Sequence, residues 1–96
     1  MRIQVLRSAI SDLGDARLFY EQQSDGLGEY FLNSLFSDID SLVLHAGVHQ
    51  QHFGFYRLLA KRFPYAVYYK INKNTILVFR VLDLRQSSAK IENSLS

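Results

Sequence analysis

Three histidines, His45, His49 and His52, fall within one eight-residue stretch, a spacing that can bring imidazole nitrogens onto a single transition-metal ion. Gly47 interrupts any helix that would put His45 and His49 on one face, and no carboxylate lies beside them to complete a ligand set. The stretch therefore reads as a polar loop, and neither a metal nor another cofactor is expected. Five scattered glycines form neither the P-loop nor the dinucleotide fingerprint. A serine triad has no nucleophile-elbow pattern to rest on, and all the histidines share one loop.

A second constellation is richer in chemistry. The run KRFPYAVYYKI, residues 61–71, interleaves Lys61, Arg62 and Lys70 with Tyr65, Tyr68 and Tyr69. Cations set among tyrosines suit phosphate pairing and base stacking, and they suit an acidic protein surface equally well. In an extended run Tyr65, Val67, Tyr69 and Ile71 share one face, while Ala66, Tyr68 and Lys70 share the other. The second set is the smaller and more polar, so it is expected outside, with Arg57, Lys61, Arg62 and Arg85 ringing the same concavity. Arg80 sits mid-strand, where a charge needs a carboxylate, a partner or water; Asp83 is the nearest carboxylate in sequence. The partner-binding candidates are thus Arg57, Lys61, Arg62, Tyr68, Lys70, Arg80 and Arg85. The competing reading is that the tyrosines simply cover a half-buried sheet.

The elements that must position these residues follow from periodicity. RIQVLR alternates and predicts a short first strand. Ser8 is placed to cap a helix running to about Gln23, with Ala9, Leu13, Ala16 and Tyr20 on its buried face. SDGLG, residues 24–28, reads as a tight turn. Phe31, Leu35, Ile39, Leu42 and Val43 predict a second helix from Leu27 to about Ala46, with Glu29, Asp38 and Asp40 outside and Gly47 closing it. Strands are predicted at 55–62, 65–71 and 75–83, the last two joined by the short link at 72–74. Pro64 falls at a strand start, where no ladder donor is lost. The expected fold is α+β, an N-terminal strand, a helical hairpin and a three-stranded antiparallel sheet in two layers, leaving the sheet's second face open. One domain is expected over 1–96, with a short helix or mobile arm from about residue 87.

Composition narrows the class further. The 96 residues are 48% hydrophobic and 21% charged, as in an ordinary globular domain. The chain has no cysteine, which excludes disulfides, thiolate metal sites and cysteine nucleophiles. No apolar run reaches the length of a membrane span, and the polar N-terminus does not read as a signal peptide, so a cytoplasmic protein is expected. The net charge of +2 conceals an asymmetry: residues 1–53 carry three arginines against seven carboxylates, and residues 54–96 eight cations against two. An acidic partner or a phosphate backbone would therefore meet the C-terminal half.

RLLAKRFPYAVYYKI, followed by ILVFRVLDLRQSSAKI, resembles the RelE/ParE superfamily of bacterial toxins, whose members often read R-F-P-Y-x-[IV]-Y-Y before a strand ending V-L-D/H-x-R-R-D-P. YEQQSDGLGEYFLNSL resembles that superfamily's helical hairpin, so the likeness runs from Ile3 to about Ile91. It implies the toxin half of a type II toxin-antitoxin pair, neutralised by a cognate antitoxin. RelE-like members cleave messenger RNA on the ribosome; ParE-like members bind and inhibit DNA gyrase. The nuclease arginine that follows the first tyrosine of the penultimate strand is Ala66 here. Beyond Arg85 there is no tyrosine or histidine, Gln86 replaces the second arginine, and Ser87 and Ser88 replace Asp-Pro. The resemblance thus implies a ParE-like gyrase inhibitor. The alternatives are a ribosome-dependent endoribonuclease using Arg57, Lys61, Arg62 and Arg85, or an inactive toxin-like protein. Self-association into a homodimer would follow from any uncovered apolar groove.

Overall fold

The alternating segment at the N-terminus forms β1, Arg2–Val5, and the amphipathic segments that follow form α1, Arg7–Gln23, and α2, Leu27–Asp40, in a computed structural model describing residues 1–96. Ser41 interrupts the second helix before a short α3, Leu42–His45; its hydroxyl donates to the Asp38 carbonyl at 2.6 Å. Two short strands, β2 at Gln51–His52 and β3 at Phe55–Leu59, precede the long β4, Tyr65–Asn72, and β5, Thr75–Asp83. The chain ends in α4, Ser88–Leu95, capped by the Ser87 hydroxyl, which accepts the Lys90 N–H.

The five strands form one sheet in the order β1-β5-β4-β3-β2, with β1 parallel to β5 and every other pairing antiparallel. The expected three-stranded sheet is therefore extended at both edges. The long excursion through two helices is what lets β1 lie parallel to β5.

β1 follows β5 only as far as Val78. Beyond that point side chains of α1 take over the exposed strand edge: the Ser8 hydroxyl donates to the Phe79 carbonyl at 2.7 Å, and the Asp12 carboxylate accepts the Val81 N–H at 2.9 Å. Ser8 was expected to cap α1, but its hydroxyl is committed to the sheet, and Leu6 stands at the cap position without a side-chain bond. Between Tyr68 and Tyr69 the register slips, pairing Arg80 with Tyr68 and Val78 with Tyr69 and leaving Phe79 as the extra residue of a bulge.

The helical hairpin covers one face. Ala9, Leu13, Ala16 and Tyr20 of α1 and Phe31, Leu35 and Ile39 of α2 meet Tyr65, Val67, Tyr69, Ile76, Val78 and Val81, while Ile71 packs at the margin. Tyr20, Phe31, Phe63 and Tyr65 form an aromatic nest with ring centroids 4.9–6.2 Å apart. At Gly28 the helices come so close that a Cβ would stand 2.6 Å from the Arg17 carbonyl oxygen. The Glu21 carboxylate closes the hairpin turn by accepting the N–H groups of Gly26 and Gly28, both at 2.9 Å, which holds its pKa below the usual carboxylate range.

Three expectations change here. The second sheet face is not open: α4 lays Ile91 over Phe55, Ala66, Tyr68 and Leu82, making a second small core. Ala66 and Tyr68, expected outside, are consequently buried, at 0% and 1% exposure. Asp38, expected on the outer face of the second helix, is 4% exposed, and its carboxylate accepts the Lys61 N–H at 3.2 Å. The helix runs one carboxylate inward because the loop after β3 has a backbone donor that needs a partner.

Candidate interaction surfaces

Arg80 is the most constrained of the candidate residues. The bulge turns its guanidinium toward α1, where Nε and Nη2 donate to the two Asp12 oxygens at 2.7 and 2.8 Å. Nη1 donates to the Ser94 carbonyl of α4 at 2.8 Å. One side chain thus ties both helical layers to β5, and the Asp12 hydrogen bonds raise its pKa. The sequence pointed to Asp83 as its carboxylate, but Asp83 belongs to Arg85, which reaches it through Nε at 3.0 Å, Nη2 at 2.8 Å and its backbone N–H at 2.8 Å. Those hydrogen bonds lower the Asp83 pKa and raise that of Arg85. The pair sits in a cleft of about 270 Å³ between α1 and the end of β5, which Asp12, Asp15, Phe19 and Tyr65 also line. Burial, reinforced by Asp83, pushes the Tyr65 hydroxyl up to about 12.

Tyr68 stands directly between Arg57 on β3 and Arg80 on β5. Its ring is enclosed by the second core, burial raises its pKa, and it offers no outward aromatic surface. Lys70, exposed at the same face, sits 4.5 Å above the Phe55 ring. With Arg80 it lines a cleft of about 490 Å³ bounded by Ser8, Phe79 and the end of α4.

Arg57 lies elsewhere, on the rim of a groove of about 320 Å³ formed with His49, Gln50, Leu58 and Leu59. Lys61 and Arg62 follow on the exposed loop after β3. Arg57 and Arg85 therefore do not share one concavity: β4 stands between β3 and β5, and the two arginines line separate clefts. Arg57, Lys61, Arg62 and Lys70 make no ion pair; the two ion pairs of the chain are those of Arg80 and Arg85.

His49 has a structural partner in Tyr69. The Tyr69 hydroxyl accepts the Gly47 N–H at 2.9 Å and lies 2.5 Å from His49 Nδ1. The hydroxyl has its own proton to donate, and donation to Nδ1 requires a neutral imidazole. Burial, and then the neighbouring His45, hold the His49 pKa below the usual imidazole range. His45, His49 and His52 form no metal-binding cluster with one another or with carboxylates. Sequence reasoning missed Asp12 as the partner of Arg80. The available signal was its spacing of four residues from Ser8, which places both on one helix face.

The fold and surfaces define a small α+β domain in which a helical hairpin covers one sheet face and unpaired cations line the β3 end of the sheet. A sequence model of the family described as "ParE toxin of type II toxin-antitoxin system, parDE" matches residues 3–87, and the chain belongs to that family. A solved structure titled "Chromosomal ParDE TA system from P. aeruginosa" shares the fold with a TM-score of 0.74 at 16% identity, over 88% of this chain and 97% of that one. Comparison with curated proteins finds no match.

Proposed function

We propose that this chain is a ParE-like toxin of the cytoplasm that inhibits DNA gyrase by occupying its surface and is held inactive by a cognate antitoxin. The observation that carries the choice between binding and RNA cleavage is the separation of Arg57 from Arg85, which line different clefts. General acid–base cleavage needs its groups within reach of one scissile phosphate. Here Arg85 is clamped to Asp83 beside α1, while Arg57 faces a separate groove across the sheet. Tyr65 and Tyr68, the nearest tyrosines to these cations in the sheet, are made weaker acids by burial. The same separation suits a broad contact, in which unpaired cations at several points meet an acidic protein surface. Arg57, Lys61, Arg62 and Lys70 are the charges assigned to that contact.

The test is induction of the toxin without its antitoxin, with gyrase supercoiling and cleavage of translated messages measured together. Lost supercoiling with intact messages is the expected result. Cleaved messages with normal supercoiling would replace the reading with the ribosome-dependent nuclease. Normal growth with abundant soluble protein would mark an inactive toxin-like chain.

A further inference from the structure

The hairpin joining β2 to β3 turns on two residues, Phe53 and Gly54, since His52 pairs with Phe55. Both have positive φ, 55° and 84°, the conformation of the two-residue turn whose twist matches its strands and whose usual occupants are Asn-Gly, Asp-Gly or Gly-Gly. Gly54 fits that pattern. Phe53 does not: a bulky side chain in the left-handed region strains the backbone, and strain of this kind clusters where a residue is held for function. The other non-glycine residue with positive φ, Lys73, is a polar residue exposed in the β4–β5 turn.

Burial does not account for the aromatic ring. Phe53 is 46% exposed and belongs to neither core. It borders a cleft of about 330 Å³ with Glu92, Leu95 and Ser96 at the end of α4, and Glu92 makes no ion pair. Arg57, four residues along the same hairpin, has the strand parity of Phe55, whose ring packs in the core beneath α4. The hairpin therefore presents an aromatic tip and an unpaired cation beside the same sheet face. An exposed aromatic on a tight turn suits an interface anchor, because it offers a large apolar area with only two side-chain torsions to fix.

We infer that Phe53 anchors the toxin to its target protein, its ring entering an apolar pocket there while Glu92 meets a cation at the rim. This rests on the proposed reading of a binding inhibitor and adds an apolar anchor to the charges assigned to that contact.

Phe53→Asn tests it, because Asn-Gly is the pair this turn favours, so an anchor and a packing residue give opposite results. Full-length wild type, Phe53→Asn and Phe53→Trp are compared by thermal unfolding, by titration onto gyrase and by inhibition of supercoiling. Phe53→Asn is expected to melt at the wild-type temperature or up to about 8 °C above it, and to need about tenfold more protein or beyond for equal inhibition. Phe53→Trp keeps an aromatic ring at the tip and should inhibit as the wild type does. A fall in Tm of more than about 4 °C for Phe53→Asn would make the ring a packing residue of α4 and overturn the inference. Undiminished inhibition by folded Phe53→Asn would also overturn it and leave the gyrase reading standing. No inhibition by folded wild-type toxin would overturn the gyrase reading and this assignment with it.

Discussion

Removing the carboxylate of Asp12 should weaken three contacts at once. Asp12 accepts Arg80 Nε at 2.7 Å, Arg80 Nη2 at 2.8 Å and the Val81 N–H at 2.9 Å. In Asp12→Ala the Val81 amide, in a residue 2% exposed, has no acceptor, and an orphaned buried donor costs about 1–3 kcal/mol. The guanidinium also loses its carboxylate. Breaking a fully buried pair costs ~3–5 kcal/mol, but the Arg80 side chain is 27% exposed, so water recovers part of this. The combined loss is expected near 3 kcal/mol, corresponding to a fall in Tm of roughly 12–24 °C for a domain of this size. Asp12→Asn keeps an acceptor oxygen and should cost about half as much. Urea unfolding of Asp12→Ala, Arg80→Met and the double variant provides the assay, and the double variant should cost less than the two singles together. A loss below about 1 kcal/mol for Asp12→Ala, or strict additivity in the cycle, would refute the claim that this carboxylate joins α1 to β5.

Other substitutions separate packing from contact. Gly28→Ala should destabilise by about 2–3 kcal/mol, measured by thermal melts, because its Cβ meets the Arg17 backbone oxygen rather than a side chain that can swing away. Tyr68→Ala should cost ~3–5 kcal/mol of stability, whereas the exposed Lys61→Ala should leave urea stability unchanged and weaken partner binding in a titration. For His49 the sign follows from its lowered pKa: the unfolded imidazole takes up a proton near pH ~6.5 while the folded one resists it. Stability from this group is complete above that pH and declines as the pH falls toward the folded pKa. His49→Gln should flatten this part of the urea-midpoint profile, and an unchanged slope would assign it to other groups.

The sequence carried the helical-face assignment well. Tyr65, Val67, Tyr69 and Ile71 could be placed inward because a strand's period of two sorts the run into two sets, and this one is the larger and more apolar. The same alternation said nothing of what covers Ala66 and Tyr68, since an outward position on one sheet face is buried when a helix arrives from the chain's end. Ile91 and Leu95, a single i, i+4 pair in a short polar segment, gave that helix little periodic signal. Ser8 illustrates a different failure: local rules favoured a cap, but a carbonyl 71 residues away competed for its hydroxyl and won.

What residues 1–96 determined without tertiary information was the order of elements, the core stripe of the hairpin, the excess of cations after residue 53 and the resemblance to a toxin superfamily. Those features are written in periodicity, composition and short motifs. The tertiary structure decided which charges are free. Asp12 claims Arg80 and Asp83 claims Arg85, through one contact that closes over 68 residues and another that closes over two. It also decided which strand edge stays open, because β1 and β2 are too short to cover their neighbours. Charge and hydrogen-bond satisfaction are properties of what stands beside a group in space, and sequence spacing constrains that only within a single helix or strand.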